Sequence, residues 1–178
     1  MPASDKVLKK SSNADAVVLT AAGQKTFGYV SIIKNYGYAA GASLTHGHQQ
    51  IGFSNIMPQR YFNNFTFLQR NRKTFSEYML QENPEKLMVR DYGTVALVVP
   101  YFMKRPHNIL ILVKDTSKQY LFQLTPTERR EFVMAMVDAI RALMVIMPRM
   151  GIEPAYNINI NNGPGAGGYL ELLACTQM

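Results

Sequence analysis

Apolar positions change their period along this chain, and each change marks an element. Phe27–Ile33 (FGYVSII) has the β-branched and aromatic content of a strand, behind a short apolar run at Ala16–Leu19 and a turn at Gly23–Lys25. After Pro58 the pattern becomes helical: Phe62, Phe65, Leu68, Phe75, Tyr78, Met79 and Leu80 recur mostly at three- and four-residue intervals, predicting one helix near 60–82 that ends before Asn83-Pro84. Thr94–Val99 and Ile109–Val113 read as strands, the first stopped by Pro100 and the second reached through the turn-prone Lys104-Arg105-Pro106. A second helix is predicted over 126–147. Thr125 is its N-cap, Pro126 takes the first helical position and Glu128 completes a capping box. Phe132, Val133, Met136, Val137, Ile140, Leu143, Met144 and Met147 give it a broad apolar stripe, which Pro148 and Gly151 stop. Tyr156–Asn161 alternates Tyr156, Ile158 and Ile160 with three asparagines, a strand with one polar face. A glycine-rich loop at 162–168 then leads to a last apolar strand, Tyr169–Leu173. Period 2 giving way to period 3.6 and returning predicts an α+β fold with antiparallel strands.

One stretch does not fit a purely structural pattern. Asn35–Ile51 reads NYGYAAGASLTHGHQQI. If a strand runs through its end, His46, His48 and Gln50 form one polar row, because alternate residues share a face. Before them, Gly37, Ala39, Ala40, Gly41, Ala42 and Ser43 form a small-residue run through which backbone can approach a bulky anion. A neutral imidazole can attack phosphorus, and an amide N–H can hold a phosphoryl oxygen. A metal site would need more ligands, and beyond the pair only His107 and Cys175 are typical zinc donors.

This string resembles the active-site segment of the galactose-1-phosphate uridylyltransferase family, within the histidine-triad superfamily. Relatives in that group include ADP-glucose phosphorylase and the diadenosine tetraphosphate phosphorylases. The family pattern is read here as Gly41, Ala42, Ser43, His46, His48 and Gln50. The resemblance implies that His48 is the nucleophile that carries the nucleotidyl group, that Gln50 and Ser43 contact its phosphate, and that Asn35 and Gly41 belong to the phosphate side. His46 matches a structural or metal-binding histidine. It also implies a histidine-triad-like antiparallel sheet with packed helices: a partial first module over 15–84, behind a polar tail at 1–14, and a second module over 85–178. That second module lacks the alternating histidines, because its last strand reads YLELLACTQ.

The implied activity is nucleotidyl transfer of the UDP-glucose–hexose-1-phosphate uridylyltransferase type, as in galactose metabolism, with a nucleotide sugar and a hexose 1-phosphate as partners. A sugar phosphate is a good leaving group, so no general acid is needed, and Gln50 in place of an imidazolium suits transfer between phosphates. Two alternatives stay open: a catalytically weak nucleotide- or sugar-phosphate-binding module, and a dinucleoside polyphosphate phosphorylase. No cofactor is expected. The Cys-x-x-Cys pair that holds zinc in some family members has no counterpart before Asn35. The short stretch before the motif leaves room for elements supplied by a partner chain in a homo-oligomer.

Composition narrows the setting. The chain has 178 residues, 47% hydrophobic and 17% charged, enough to bury a core in one domain or two small ones sharing a sheet. A net charge of +7 attracts phosphates, and with no basic, aromatic-interleaved repeat it favours small anions over nucleic acid. No apolar run approaches a membrane span, the N-terminus lacks a secretory stretch, and a single cysteine points to the cytoplasm.

Overall fold

The structure is a computed structural model describing residues 16–19, 25–44, 46–54, 56, 58–103, 105–161 and 169–175. The expected tail at 1–14, most of the turn at 23–25 and the glycine-rich loop at 162–168 lie outside the described residues. Among the described residues, eight strands form one antiparallel sheet: β1 (Ala16–Leu19), β2 (Lys25–Tyr36), β3 (Gln50–Ser54), β4 (Met88–Asp91), β5 (Val95–Val98), β6 (Ile109–Val113), β7 (Tyr156–Asn161) and β8 (Tyr169–Ala174). Their order is β1-β2-β7-β8-β6-β5-β4, with β3 also paired to β2. Ile32 and Ile33 pair with β3 on one edge and with β7 on the other. Through β2–β7, the early and late parts of the chain share a single sheet.

Strand alternation gives the sheet two apolar faces, each covered by helix. On one, Val95, Leu97, Ile109, Ile111, Val113, Ile158, Leu170 and Leu172 pack against α3 (Pro126–Arg149) through its Phe132, Ala135, Ala139, Leu143 and Met147. Leu143 and Met147 are fully buried. On the other, Ala96, Val98, Leu110, Leu112 and Tyr169 meet Met79, Phe75, Tyr78 and Leu80 of α2 (Phe75–Glu82). Burying both faces is why β5 and β6 read as continuous apolar runs.

The start of α3 is as its sequence dictates. Thr125 Oγ1 accepts from the Glu128 N–H at 3.2 Å, and Glu128 Oε2 accepts from the Thr125 N–H at 2.7 Å. Its end runs to Arg149, past Pro148, because a proline in the last turn sacrifices only one hydrogen bond. Gly151, at φ +74°, then reverses the chain.

The single helix expected over 60–82 is two. α1 (Gln59–Asn71) ends where Arg72 turns left-handed at φ 56° with its N–H on Leu68 O, and α2 restarts behind Thr74, whose Oγ1 caps Glu77 N at 3.1 Å. Thr74-x-x-Glu77 is a cap signature that competes with continued periodicity and wins. The face also differs from the expected one: Phe62 and Phe65 are exposed, while Tyr61 and Asn64 point inward. α1 is fastened by polar contacts, Arg60 Nη2 to Glu171 Oε2 at 2.7 Å and Asn64 Nδ2 to the Tyr169 hydroxyl at 3.3 Å.

Candidate active site

The candidate residues sit on the long connection from β2 to β3. Asn35 and Tyr36 end β2, paired with Asn157 and Tyr156 of β7, and the rings of Tyr36 and Tyr156 stack at 5.1 Å. Gly37 then turns the chain at φ +82°. A Cβ there would meet Pro154 O at 2.7 Å and Ala155 Cβ at 2.8 Å, so the close approach of the two segments requires glycine. A 3₁₀ turn over Tyr38–Ala40 follows, closed by Gly41 at φ +75° with its N–H on Tyr38 O at 2.9 Å. Ala40 is buried against Ala155 and Cys175, which anchors the loop from beneath.

The histidines do not share a strand with Gln50. β3 begins at Gln50, and His46 and His48 lie in the loop before it. The expected single strand row is therefore corrected to a strand residue with two loop imidazoles. The physical reason is pairing. Ile33 opposite Gln50 is the last paired position of the β2–β3 ladder, so the residues before Gln50 have no strand partner on that edge. His48 is instead held by two main-chain contacts. Its Nδ1 lies 3.1 Å from the carbonyl oxygen of His46, and its own carbonyl accepts from Lys34 Nζ at 3.2 Å. A carbonyl oxygen only accepts, so this contact calls for the hydrogen on Nδ1, the tautomer that leaves the Nε2 lone pair available. The two imidazoles stand edge to face, 5.8 Å between centroids.

A cleft of 520 Å³ opens beside them. Asn35, Ser43 and His46 line it; Gly41, His48 and Gln50 are not among its walls. Gln50 begins a cross-strand row, Gln50–Ile33–Asn159–Glu171, whose members share one face of the sheet. Further along that face Asn161 is buried, and its amide nitrogen has no partner. The sequence reading missed Tyr36, Tyr38, Met144, Glu153 and Pro154 as cleft walls. Tyr38 stood inside the motif but was passed over for its small neighbours. Glu153, between Gly151 and Pro154, carried no signal beyond a helix stop.

Among the described residues, no three His, Cys, Asp or Glu side chains gather where they could hold a metal ion. His107, at φ +59°, lines a separate, mainly apolar cleft with Arg90, Tyr92 and Asp138. No helix among the described residues is long and apolar enough to cross a membrane.

No protein-family model and no curated protein matches the chain. Solved structures do. A galactose-1-phosphate uridylyltransferase-like (GalT-like) protein from Arabidopsis thaliana matches at TM-score 0.68 and 17% identity, covering 99% of this chain and 59% of that one. A uridylyltransferase matches at TM-score 0.68 and 21% identity, over 96% and 54%. An ADP-glucose phosphorylase from Arabidopsis thaliana, solved with bound ADP-glucose, matches at TM-score 0.67 and 17% identity, over 99% and 56%. The chain therefore has the α+β fold of the uridylyltransferase and ADP-glucose phosphorylase structures, over somewhat more than half of their length.

Proposed function

We propose that this chain carries a nucleotidyl-transfer site in which His48 is the covalent carrier of a nucleoside monophosphate passed between sugar phosphates. The observation that supports it most directly is the 3.1 Å contact from His48 Nδ1 to the carbonyl of His46, which leaves Nε2 free to attack. In the first half-reaction the Nε2 lone pair forms a bond to the α-phosphorus of a nucleoside diphosphate sugar. The P–O bond to the sugar phosphate breaks, and that group departs with the electron pair. In the second, a phosphate oxygen of the acceptor attacks the same phosphorus and the N–P bond breaks. Gln50, Ser43, Asn35 and Gly41 are proposed to contact the phosphates, and the Lys34 ammonium adds positive charge beside the loop.

The donor is proposed to be a UDP- or ADP-sugar and the acceptor a hexose 1-phosphate, in the cytoplasm. The division into a motif-bearing segment over 15–84 and one over 85–178 whose last strand lacks the alternating histidines belongs to the same reading. The test is incubation with UDP-glucose or ADP-glucose labelled on the α-phosphate. Acid-labile label on the parent chain and none on His48→Ala supports transfer.

A second reading, a binding module without turnover, draws on the cleft, whose walls include Asn35, Ser43 and His46 but neither His48 nor Gln50. Retained nucleotide-sugar binding without label would establish it in place of the first.

A further inference from the structure

The walls of the cleft beside His46 are chemically mixed. Its lining joins Ser43, His46 and small loop residues to Tyr38, Met144 and Glu153, and Tyr38 and Glu153 are brought together by the close approach of their chain neighbours Gly37 and Pro154. Glu153 is the only carboxylate in the lining, and it is exposed, with no ion pair to any described residue. In a chain of net charge +7, an uncommitted carboxylate in the wall of a phosphate-directed cleft needs a reason. Tyr38 is 80% exposed although its backbone is fixed on both sides, by the Gly41 N–H on its carbonyl at 2.9 Å and by the Ala40 and Ala42 N–H groups on Gly37 O at 3.1 and 3.2 Å. A large ring standing in solvent on a fixed stretch of backbone beside a cleft offers its face to a ligand.

We propose that the part of the cleft beside Tyr38 and Glu153 is a sugar subsite. Glu153 accepts hydrogens from neighbouring hydroxyls of a sugar ring, and Tyr38 lies against the ring's apolar face. The inference rests on the transfer reading for one point, that the phosphate lies toward His46 and Ser43. A carboxylate has two acceptor oxygens and no hydrogen to give, so it matches a pair of adjacent hydroxyls and repels a phosphate. The same group therefore selects the hydroxylated end of a sugar phosphate and orients the phosphorus toward the imidazoles. The cleft volume of 520 Å³ lies within the range of small-molecule sites, about 300–1,000 Å³.

The sugar could be the hexose of a sugar phosphate or the ribose of a nucleotide, and the experiment separates them. Glucose 1-phosphate, UMP and orthophosphate are titrated by calorimetry into the full chain and into Glu153→Gln and Tyr38→Ala, with thermal melting to check that each variant is folded. Glu153→Gln should weaken one of the two sugar ligands by about ten- to a hundredfold, the loss of a charged hydrogen bond, and leave orthophosphate unchanged or tighter. Tyr38→Ala should weaken the same ligand. If glucose 1-phosphate is the one affected, the subsite holds the hexose; if UMP, the ribose. Equal weakening of all three ligands, no weakening of either sugar ligand, or no binding to the parent chain overturns the proposal. The titrations require no turnover. A parent that binds sugar phosphate through Glu153 but takes no label from either UDP-glucose or ADP-glucose refutes covalent transfer alone, whereas labelling with no effect of Glu153→Gln refutes the subsite alone.

Discussion

The Tyr92 hydroxyl donates to Asp138 Oδ2 at 2.7 Å, tying the β4–β5 turn to the middle of α3, and Arg90 Nη1 reaches the same oxygen at 2.9 Å. Burial and then this bond to a carboxylate push the Tyr92 phenol up to about 12 from its ordinary value near 10, and the same bond holds Asp138 below the usual carboxylate range. A phenol whose pKa is raised by folding contributes stability that is complete below the unfolded value and lost as pH rises through the folded one. Between pH 10 and about 12, stability followed by circular dichroism should therefore decline, and Tyr92→Phe should make that decline shallower. An unchanged alkaline profile in that variant would mean the contact is not formed in solution.

Gly37 is the backbone pivot of the candidate site. Gly37→Ala forces a Cβ to within 2.7 Å of Pro154 O in a left-handed conformation, and should cost on the order of 1–3 kcal/mol in urea unfolding. Gly41→Ala meets no atom within 4 Å and carries only the conformational penalty at φ +75°, about 1–2 kcal/mol. Gly37→Ala should be the costlier of the two, and equal costs would indicate that the loop moves away from Pro154 without penalty.

In the core, Leu143 of α3 is 1% exposed and packs on the sheet. Leu143→Ala should destabilise by about 2–5 kcal/mol, the loss of burial plus the cavity left behind. A loss below 1 kcal/mol would mean that α3 is not seated on the sheet as described.

The site variants separate three roles. His48→Ala should take no label from a nucleotide sugar. Gln50→Ala should retain the nucleophile and slow transfer by about 10²–10³, the usual effect of removing one charge-stabilising donor. His46→Ala should still become labelled, because the group that orients His48 is the main-chain oxygen of residue 46 and survives the change. Label lost in His46→Ala but kept in His48→Ala would move the nucleophile to His46.

Local chemistry in the sequence reached as far as contacts that are themselves local. Thr125, Pro126 and Glu128 specify the start of α3 because capping joins residues three apart. The runs 95–98 and 109–113 specify buried strands because apolar residues on both faces need cover on both. The alternation of Asn157, Asn159 and Asn161 with Tyr156, Ile158 and Ile160 settled which face of β7 meets the α3-side core. The motif from Asn35 to Gln50 was likewise legible as a string of residue types.

Tertiary structure alone decided the rest, since those outcomes depend on partners distant in sequence. The phase of α1 follows contacts from Arg60 and Asn64 to Glu171 and Tyr169, more than a hundred residues away, and these override the apolar pattern of Phe62 and Phe65. His46 and His48 fall outside β3 because pairing with β2 ends at Ile33 and Gln50. Glu153 reaches the cleft only because β7 pairs with β2, which brings the end of α3 beside the loop after Tyr36. Periodicity reports which side of a segment is apolar. Which segment it will face is fixed by the sheet order.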